Sequence, residues 1–330
     1  MFSYKLKFDI TNKSFLVTGG AGFIGSNLVD FLLQNNAREV RVLDNFSTGY
    51  HENIEEFSSN PAFKLITGDI TYFEDCNSAT KNMDYVFHQA ALGSVPRSIK
   101  DPITTNNVNI NGFLNVLQAS VNNKVKRFIY ASSSSVYGND KTMPKRENKT
   151  GELLSPYAVT KKTNELYADV FYKTYGLETI GLRYFNVFGP KQNINGPYAA
   201  VIPIFINELL NGQSPIIFGD GNTTRDFTFI ENVIQANLLA ALTENKESIN
   251  QVYNIAYGGT TSLNDLFYRI AESIKTDIKP KYQSERKGDI KDSFADISKA
   301  EQILGYKPSV EIRSGLEITV DWYKQKLKII

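Results

Sequence analysis

One run near the start of this 330-residue chain decides its fold: Phe15-Leu16-Val17-Thr18-Gly19-Gly20-Ala21-Gly22-Phe23-Ile24-Gly25. The apolar residues before Thr18 predict a buried strand, and those after Gly22 recur at helical spacing, at Ile24, Leu28, Phe31 and Leu32. Three glycines in a GxxGxxG pattern stand at the turn between them. Glycines at this spacing let the backbone approach a pyrophosphate, whose charge then faces the N-terminus of the helix. Strand, turn and helix together predict a dinucleotide-binding unit.

The acidic residue that such a unit requires follows the next predicted strand. Residues 40–43 are apolar enough for a strand, and Asp44 stands 19 residues after Gly25, where a carboxylate binds the ribose hydroxyls. A carboxylate there repels a 2′-phosphate, so the predicted cofactor is NAD rather than NADP. Two further predicted strands, residues 63–66 and 85–87, end in Gly68-Asp69-Ile70 and His88-Gln89-Ala90-Ala91. We expect Asp69 beside the adenine and the small alanines against the cofactor, and we interpret His88 as structural.

Predicted strands alternate with helical stretches from residue 14 to about 183, which is typical of a doubly wound parallel sheet with helices on both faces. After Asn186, glycine and proline turns punctuate shorter elements, and this texture predicts a smaller α/β substrate-binding lobe. The predicted fold is therefore Rossmann-like. We assign residues 1–185 and 226–256 to the cofactor domain, and residues 186–225 and 257–330 to the substrate domain.

The composition excludes several classes of function. The net charge is +1 with both signs interspersed, so nothing favours nucleic acid or an anionic membrane as a partner. No apolar stretch approaches the length of a membrane-spanning helix, and the start lacks a signal-peptide pattern. The single cysteine, Cys76, fits a reducing cytoplasm and is interpreted as structural. No cluster of His, Cys or acidic residues has metal-ligand spacing, so no metal is expected.

A second motif lies on a predicted helix that begins after Ser155 and ends at Gly176. Ser155 is a suitable N-cap residue, and Pro156 suits the first helical turn. Tyr157 and Lys161 are four residues apart and so lie on one face of this helix. An ammonium group beside a phenol favours the phenolate, and lowering its pKa by ~3 units needs about 4 kcal/mol. The pair therefore predicts an acid/base at the carboxyl ends of the strands.

These elements, together with Ala131-Ser132-Ser133-Ser134-Ser135-Val136-Tyr137-Gly138, resemble the extended short-chain dehydrogenase/reductase family, and within it the nucleotide-sugar 4-epimerases. The resemblance covers nearly the whole chain. It implies that Tyr157 and Ser133 take the proton of the 4-hydroxyl while C4 gives hydride to bound NAD+. The 4-keto sugar then presents its other face and is reduced again, so no reductant is consumed.

The resemblance also implies the contacts of each residue. Ser133, Tyr157 and Lys161 are the implied catalytic residues. The implied cofactor contacts are Gly19, Gly22, Phe23, Ile24, Gly25, Asp44, Asn45, Asp69, Ile70, Gln89, Ala90, Ala91, Tyr157, Lys161 and Tyr184. The implied substrate contacts are Gly93, Ser94, Ser133, Ser134, Ser135, Asn186, Gln192, Val201, Arg225, Arg286, Asp289 and Ser293.

The serine run distinguishes this chain from other branches of the family. Sugar 4,6-dehydratases carry Asp-Glu in place of Ser134-Ser135, and the nucleotide-sugar decarboxylases carry Glu in place of Ser135. A serine cannot replace a carboxylate as a proton relay at neutral pH, which disfavours both reactions. Epimerisation at C4 needs one acid/base and a reversible hydride acceptor.

Two segments, residues 90–98 and 192–203, resemble bacterial epimerases of UDP-N-acetylhexosamines and their uronic acids, which supply O-antigen and capsule assembly. Ser293 falls at the position where a bulky tyrosine restricts relatives to unacetylated sugars. We therefore expect interconversion of UDP-N-acetylglucosamine and UDP-N-acetylgalactosamine, with C6-oxidised forms left open. The alternatives are a UDP-glucuronate 4-epimerase and, more remotely, a non-catalytic NAD sensor. The helices near 105–121 and 156–175 would form the homodimer contact found in relatives.

Overall fold

A seven-stranded parallel sheet forms the larger half of the molecule. The computed structural model describes residues 3–5, 8–194, 199–285 and 292–327. The strands are β1 (Ser14–Thr18), β2 (Glu39–Asp44), β3 (Phe63–Thr67), β4 (Tyr85–His88), β5 (Arg127–Ser133), β6 (Glu178–Tyr184), β7 (Val187–Phe188), β8 (Ile216–Phe218), β9 (Thr224–Arg225), β10 (Thr228–Phe229), β11 (Gln251–Ile255), β12 (Thr261–Ser262), β13 (Lys281–Gln283) and β14 (Asp292–Ser293). The large sheet has the order β11-β6-β5-β4-β1-β2-β3, with every neighbouring pair parallel.

Helices cover both faces of this sheet. They are α1 (Phe23–Gln34), α2 (Phe73–Thr80), α3 (Val95–Lys100), α4 (Pro102–Asn106), α5 (Phe113–Asn122), α6 (Pro156–Tyr175), α7 (Val201–Leu210), α8 (Ile230–Leu242), α9 (Leu263–Ile274) and α10 (Ile312–Lys326), and a π-helical turn joins α4 to α5. Phe15 and Val17 pack into the core with α1 and α8, whereas Leu16 packs into a second core with α2 and α5. This alternation places a core on each face of β1. The predicted Rossmann-type fold is confirmed.

The smaller half is built from short sheets. β9 pairs with β12 and β14, β8 pairs with β13, and β7 pairs with β10. α7, α9 and α10 pack against one another in the same half. The domain boundaries assigned from the sequence stay a prediction. Within the described ranges, no helix is long and apolar enough to cross a membrane.

One strand is longer than predicted, and this matters for the site. The apolar run of residues 127–130 predicts a strand that ends at Tyr130, but β5 continues to Ser133. It does so because pairing with β6 continues to the Ser133–Tyr184 register position. A 3₁₀ turn then covers Ser134–Tyr137, and the Ser133 hydroxyl accepts a hydrogen bond from the Ser135 N–H at 3.1 Å. Ser133 is therefore fixed at the end of a buried strand.

Candidate active site

A cavity of about 740 Å³ opens at the carboxyl ends of β1 to β6. All fifteen predicted cofactor residues line it, from Gly19 to Tyr184. The predicted substrate residues that line it are Gly93, Ser133, Ser134, Ser135, Asn186, Gln192, Arg225 and Ser293. Ligands of doubly wound sheets bind at this edge. One cavity therefore holds the predicted cofactor residues together with eight of the predicted substrate residues.

The remaining predicted substrate residues lie elsewhere. Ser94 caps α3 through its hydroxyl, which accepts a hydrogen bond from the Arg97 N–H at 3.2 Å. Val201 is the first residue of α7 and packs against the core. Neither residue lines the cavity, so their substrate contacts stay predictions. Arg286 and Asp289 lie outside the described residues.

The glycine turn fits a dinucleotide. A Cβ on Gly25 would lie 2.2 Å from the Gly19 carbonyl oxygen, and one on Gly19 would lie 2.7 Å from the Ala90 backbone. Either side chain would force the turn away from the sheet. A Cβ on Gly22 would meet only the Gly19 carbonyl oxygen, at 3.2 Å, and Gly22 lines the cavity. The turn thus leaves room for a pyrophosphate at the N-terminus of α1.

Two acids mark the adenosine side of this cavity. Asp44, at the end of β2, accepts hydrogen bonds from the N–H groups of Ala21 and Phe46, both at 2.9 Å. Asp69 lies just beyond β3 and accepts a 2.7 Å hydrogen bond from the Asn45 side chain. Each carboxylate keeps lone pairs free for hydroxyl groups. The residues present therefore fit the adenosine ribose of NAD.

Sequence reasoning missed part of this side. Ser47, Thr48 and Gly49 also line the cavity. They belong to a polar loop that directly follows the strand ending in Asp44. This polar composition and this position could have indicated that they line the cofactor site.

Ser133, Tyr157 and Lys161 converge on the opposite side of the cavity. The Lys161 ammonium lies 5.9 Å from the centre of the Tyr157 ring and donates a 2.8 Å hydrogen bond to the Ala131 carbonyl oxygen. Burial raises the pKa of Tyr157, while a hydrogen bond with Ser133 lowers it. Burial also lowers the pKa of Lys161 to about 8. The sequence predicts a Tyr157 pKa lowered by Lys161, whereas in this structure burial has the largest effect and the pKa is raised.

A buried ion pair holds the helix that carries Tyr157. Glu165 of α6 binds the Arg183 guanidinium through two hydrogen bonds of 2.8 Å, and accepts a third from the Ser132 hydroxyl at 2.7 Å. Both charged side chains are almost fully buried, 3% and 4% exposed. The pair links α6 to β5 and β6, the strands that end in Ser133 and Tyr184. Sequence reasoning did not identify it, because ion pairing across three elements leaves no local pattern.

His88 and Cys76 have structural environments. The His88 ring is buried, stacks on Phe128 and bonds to the Thr18 hydroxyl at 2.9 Å. Burial, with Lys161 nearby, lowers the pKa of His88 to about 3. Burial raises the pKa of Cys76 to about 12. The first stays neutral and the second stays a thiol at neutral pH.

On the substrate side of the cavity, short strands hold predicted substrate residues next to one another. Arg225 of β9 and Ser293 of β14 are directly paired in register. Asp226 follows Arg225, its N–H donates to the Ser293 carbonyl oxygen at 3.0 Å, and its own carbonyl oxygen accepts a 3.0 Å bond from the Asn186 side chain. Asn186, Arg225 and Ser293 come from three separate segments and all line the cavity. Asp226 thus connects all three.

Comparison with known proteins agrees with this geometry. The NAD dependent epimerase/dehydratase family model matches residues 15–256. The UDP-N-acetylglucosamine 4-epimerase of Methanobrevibacter ruminantium, solved with UDP-N-acetylmuramic acid, superposes with a TM-score of 0.90 at 42% identity, over 96% of this chain and 99% of its own. The UDP-glucose 4-epimerase of Thermotoga maritima, solved with UDP-glucose, gives 0.88 at 38% identity, over 95% and 99%. The UDP-glucuronic acid 4-epimerase of Bacillus cereus, solved with UDP-glucuronic acid and NAD, gives 0.87 at 34% identity, over 95% and 99%.

The chain therefore belongs to the NAD-dependent epimerase/dehydratase family and is an NAD-dependent enzyme. The family resemblance and the cofactor predicted from the sequence are confirmed. The names of these three structures support a UDP-sugar 4-epimerase activity, and they differ in the sugar.

Proposed function

We propose that this protein is a UDP-sugar 4-epimerase whose main reaction interconverts UDP-N-acetylglucosamine and UDP-N-acetylgalactosamine. The observation that carries this proposal is the convergence of Ser133, Tyr157 and Lys161 in a cavity where no carboxylate lies near them among the described lining residues. Asp44 and Asp69 are the two acids among the described lining residues, and both belong to the β2–β3 end of the sheet.

The part of the cavity wall that the structure describes has no acid near Ser133, which favours epimerisation over elimination or decarboxylation. Ser134 and Ser135 stand where the implied second acid of those reactions would lie. The Ser135 hydroxyl is buried and has no hydrogen-bond partner within the described protein. Such a hydroxyl can hydrogen-bond to a sugar hydroxyl but cannot relay a proton at neutral pH. One acid/base is enough to invert C4.

Tyr157 is that acid/base. Its hydroxyl is buried at the cavity beside Ser133, so it can take the proton of the 4-hydroxyl and later return it to the opposite face. Ser133 orients the same hydroxyl. Lys161 supplies positive charge toward the developing phenolate, and its pKa of about 8 lets it stay charged at neutral pH. The glycine turn and Asp44 would hold NAD+, which would supply a reversible hydride acceptor for C4.

The preference for an acetylated sugar rests on Ser293. Its register partner Arg225 suits phosphate oxygens, because a guanidinium binds them bidentately. A 2-acetamido group needs space near the diphosphate, and a serine leaves that space where a tyrosine would fill it. Lys161 and Arg225 are the cations among the described lining residues, and Lys161 is already bonded to the Ala131 carbonyl oxygen. This charge distribution favours an uncharged C6 alcohol.

The test is incubation of the purified protein, with no NAD added, with UDP-N-acetylglucosamine, UDP-N-acetylglucosaminuronate, UDP-glucose and UDP-glucuronate in turn. Proton NMR of the anomeric and H4 signals follows each reaction. We expect galacto products from the acetylated sugars, fastest from the C6 alcohol. Turnover of UDP-glucuronate alone would instead identify a UDP-glucuronate 4-epimerase. No turnover of any sugar, with or without added NAD, would favour the sensor.

We also propose a homodimer through α6 and α4. Val159, Leu166 and Val170 form one stripe on α6 and are 46%, 58% and 52% exposed, and Ile103 of the adjoining α4 is 82% exposed. Such an apolar face is unusual on a monomer and typical of an interface. The cytoplasmic location and a role in O-antigen or capsule assembly stay predictions from the sequence.

A further inference from the structure

Residues 189–194, the Gln192 segment, place Gln192 in the wall of the cavity. Several hydrogen bonds attach this segment to the cofactor half of the molecule. The Asn27 side chain of α1 donates a 3.1 Å hydrogen bond to the Pro190 carbonyl oxygen. The Lys191 ammonium donates to the Asn53 carbonyl oxygen at 2.9 Å and to the Glu56 carboxylate at 2.8 Å. Gln192 is thus placed by contacts that reach across the cavity.

The loop that receives Lys191 is itself bonded to the glycine turn. The Asn53 side chain donates to the Ala21 carbonyl oxygen at 2.9 Å, and the Tyr50 N–H donates to the same oxygen at 3.0 Å. The Ala21 N–H in turn donates to Asp44 at 2.9 Å. A continuous path of hydrogen bonds therefore connects Lys191 with the turn and the acid that fit NAD.

Lys191 is an unusual residue at its position. Its backbone φ is +68°, a left-handed conformation that glycine adopts readily and lysine does not. Its side chain is 12% exposed and its ammonium lies 4.7 Å from the centre of the Phe57 ring. The Lys191 side chain thus contacts the Asn53 carbonyl oxygen, the Glu56 carboxylate and the Phe57 ring. These contacts can keep the Gln192 segment against the loop that contains Asn53, despite the left-handed backbone at Lys191.

A second connection is weaker. Tyr323 of α10 donates to the Gln192 carbonyl oxygen, and Lys326 of the same helix pairs with Glu52. The Lys326 and Glu52 side chains are 37% and 56% exposed, so water screens this pair. The Asn193 side chain also donates to the Tyr50 hydroxyl at 2.6 Å, in an exposed position. Two links to the cofactor half are better shielded from water: the bond from Asn27 to Pro190, and the bond from Lys191 to Asn53. The second leads directly to the glycine turn, because the Asn53 side chain donates to the Ala21 carbonyl oxygen.

We propose that Lys191 is a positioning residue that couples NAD retention to nucleotide binding, an inference that rests on the proposed function. A UDP group that contacts the Gln192 segment stabilises the hydrogen bonds of Lys191 with Asn53 and Glu56. Those bonds in turn stabilise the loop that contains Asn53 and is bonded to the glycine turn. Coupling of this kind is reciprocal in binding free energy, so bound UDP tightens the binding of NAD. We expect this tighter binding to be expressed as slower release of NAD. The consequence suits an enzyme that must keep one NAD through both hydride transfers of each turnover.

The test measures NAD release from the holoenzyme, with and without saturating UDP, by trapping free NAD+ with an excess of a dehydrogenase and its alcohol substrate. UDP is used because it cannot react. We expect UDP to slow release from the wild type by about tenfold, within the range usual for coupled sites. In Lys191→Met, release should be faster and the effect of UDP should largely disappear. Glu56→Ala, which leaves the Asn53 contact intact, should give a smaller change in the same direction.

Lys64→Met is the matched control, because Lys64 also makes a 2.8 Å ion pair on the cofactor half, with Glu39, and has no contact with the Gln192 segment. It should behave as the wild type does. Unchanged release and an unchanged UDP effect in folded Lys191→Met would overturn the inference, and so would faster release with the UDP effect intact. Calorimetry of UDP binding keeps the two proposals apart: if the wild type binds no UDP, the proposed function itself fails.

Discussion

Asp226 should make the free energy of unfolding depend on pH, and the structure defines the size of this effect well. Its carboxylate is 1% exposed and accepts hydrogen bonds from backbone N–H groups: Tyr257 at 3.1 Å, Gly258 at 3.2 and 3.3 Å, and Ala295 at 3.2 Å. Within the described ranges, no cation forms an ion pair with it, and its charge raises the pKa of the buried Tyr306. Burial raises the pKa of Asp226 from 3.8 to about 7, although the N–H groups lower it.

The direction and size of this pH effect on the free energy of unfolding follow from proton linkage. Between about pH 4 and pH 7 the folded protein holds a proton on Asp226 that the unfolded chain has released, so the free energy of unfolding falls as the pH rises through this window. A raised pKa of about 3 units corresponds to roughly 4 kcal/mol. Above pH 7 both states are ionised and the contribution levels off. The Asp226 backbone bonds to Asn186 and Ser293, and its carboxylate accepts from the Ala295 N–H, two residues after Ser293, so the titrating group lies close to the substrate side.

The assay is urea unfolding of the wild type and of Asp226→Asn from pH 4 to pH 8, followed by circular dichroism. Subtracting the two curves cancels every other titrating group, and the wild-type advantage should shrink by roughly 4 kcal/mol up to pH 7. A difference that stays flat with pH would refute the raised pKa. A difference that grows with pH would mean that the backbone N–H groups dominate over burial.

Four further changes have defined outcomes. Tyr157→Phe should lower kcat by about 10²- to 10⁴-fold, the usual contribution of an acid/base, with little change in KM in steady-state assays. Ser293→Tyr should abolish turnover of the acetylated sugars and spare UDP-glucose; unchanged relative rates would remove Ser293 as the gate. Leu166→Glu should produce monomers in sedimentation velocity. Tyr268→Glu should not, because Tyr268 lies outside this face, although it too is a large exposed side chain, at 50% against 58% for Leu166. The pKa of His88 is lowered from 6.5 to about 3, so below about pH 6.5 the unfolded chain binds a proton that the folded protein does not. The free energy of unfolding therefore falls as the pH drops below about 6.5. His88→Gln should flatten this part of the pH profile measured by urea unfolding.

Local patterns in the sequence predicted most of the fold. The buried strand β1 and the glycine turn are specified by neighbouring residues. The same holds for α6, which begins after the Ser155 cap and ends at Gly176 in a left-handed conformation. Each is specified by residues close together in the chain, so a single sequence suffices to predict it.

What the sequence could not predict depends on contacts between distant segments. The extension of β5 to Ser133 follows from pairing with β6, and the burial that raises the pKa of Tyr157 comes from the whole fold. The bridge from Lys191 to Asn53 joins residues 138 positions apart. The roles of Asp226 and Glu165 are also set by packing partners far away in the chain, which no local spacing reveals.

The most direct measurement follows the hydrogen at C4. UDP-N-acetylglucosamine deuterated at C4 is incubated in ordinary water with the purified protein and no added NAD, and the product is examined by NMR and mass spectrometry. If the hydrogen is removed and returned as hydride within one closed site, UDP-N-acetylgalactosamine forms with inverted configuration and keeps its deuterium. Product that has lost the deuterium to solvent, or no product at all, would contradict this.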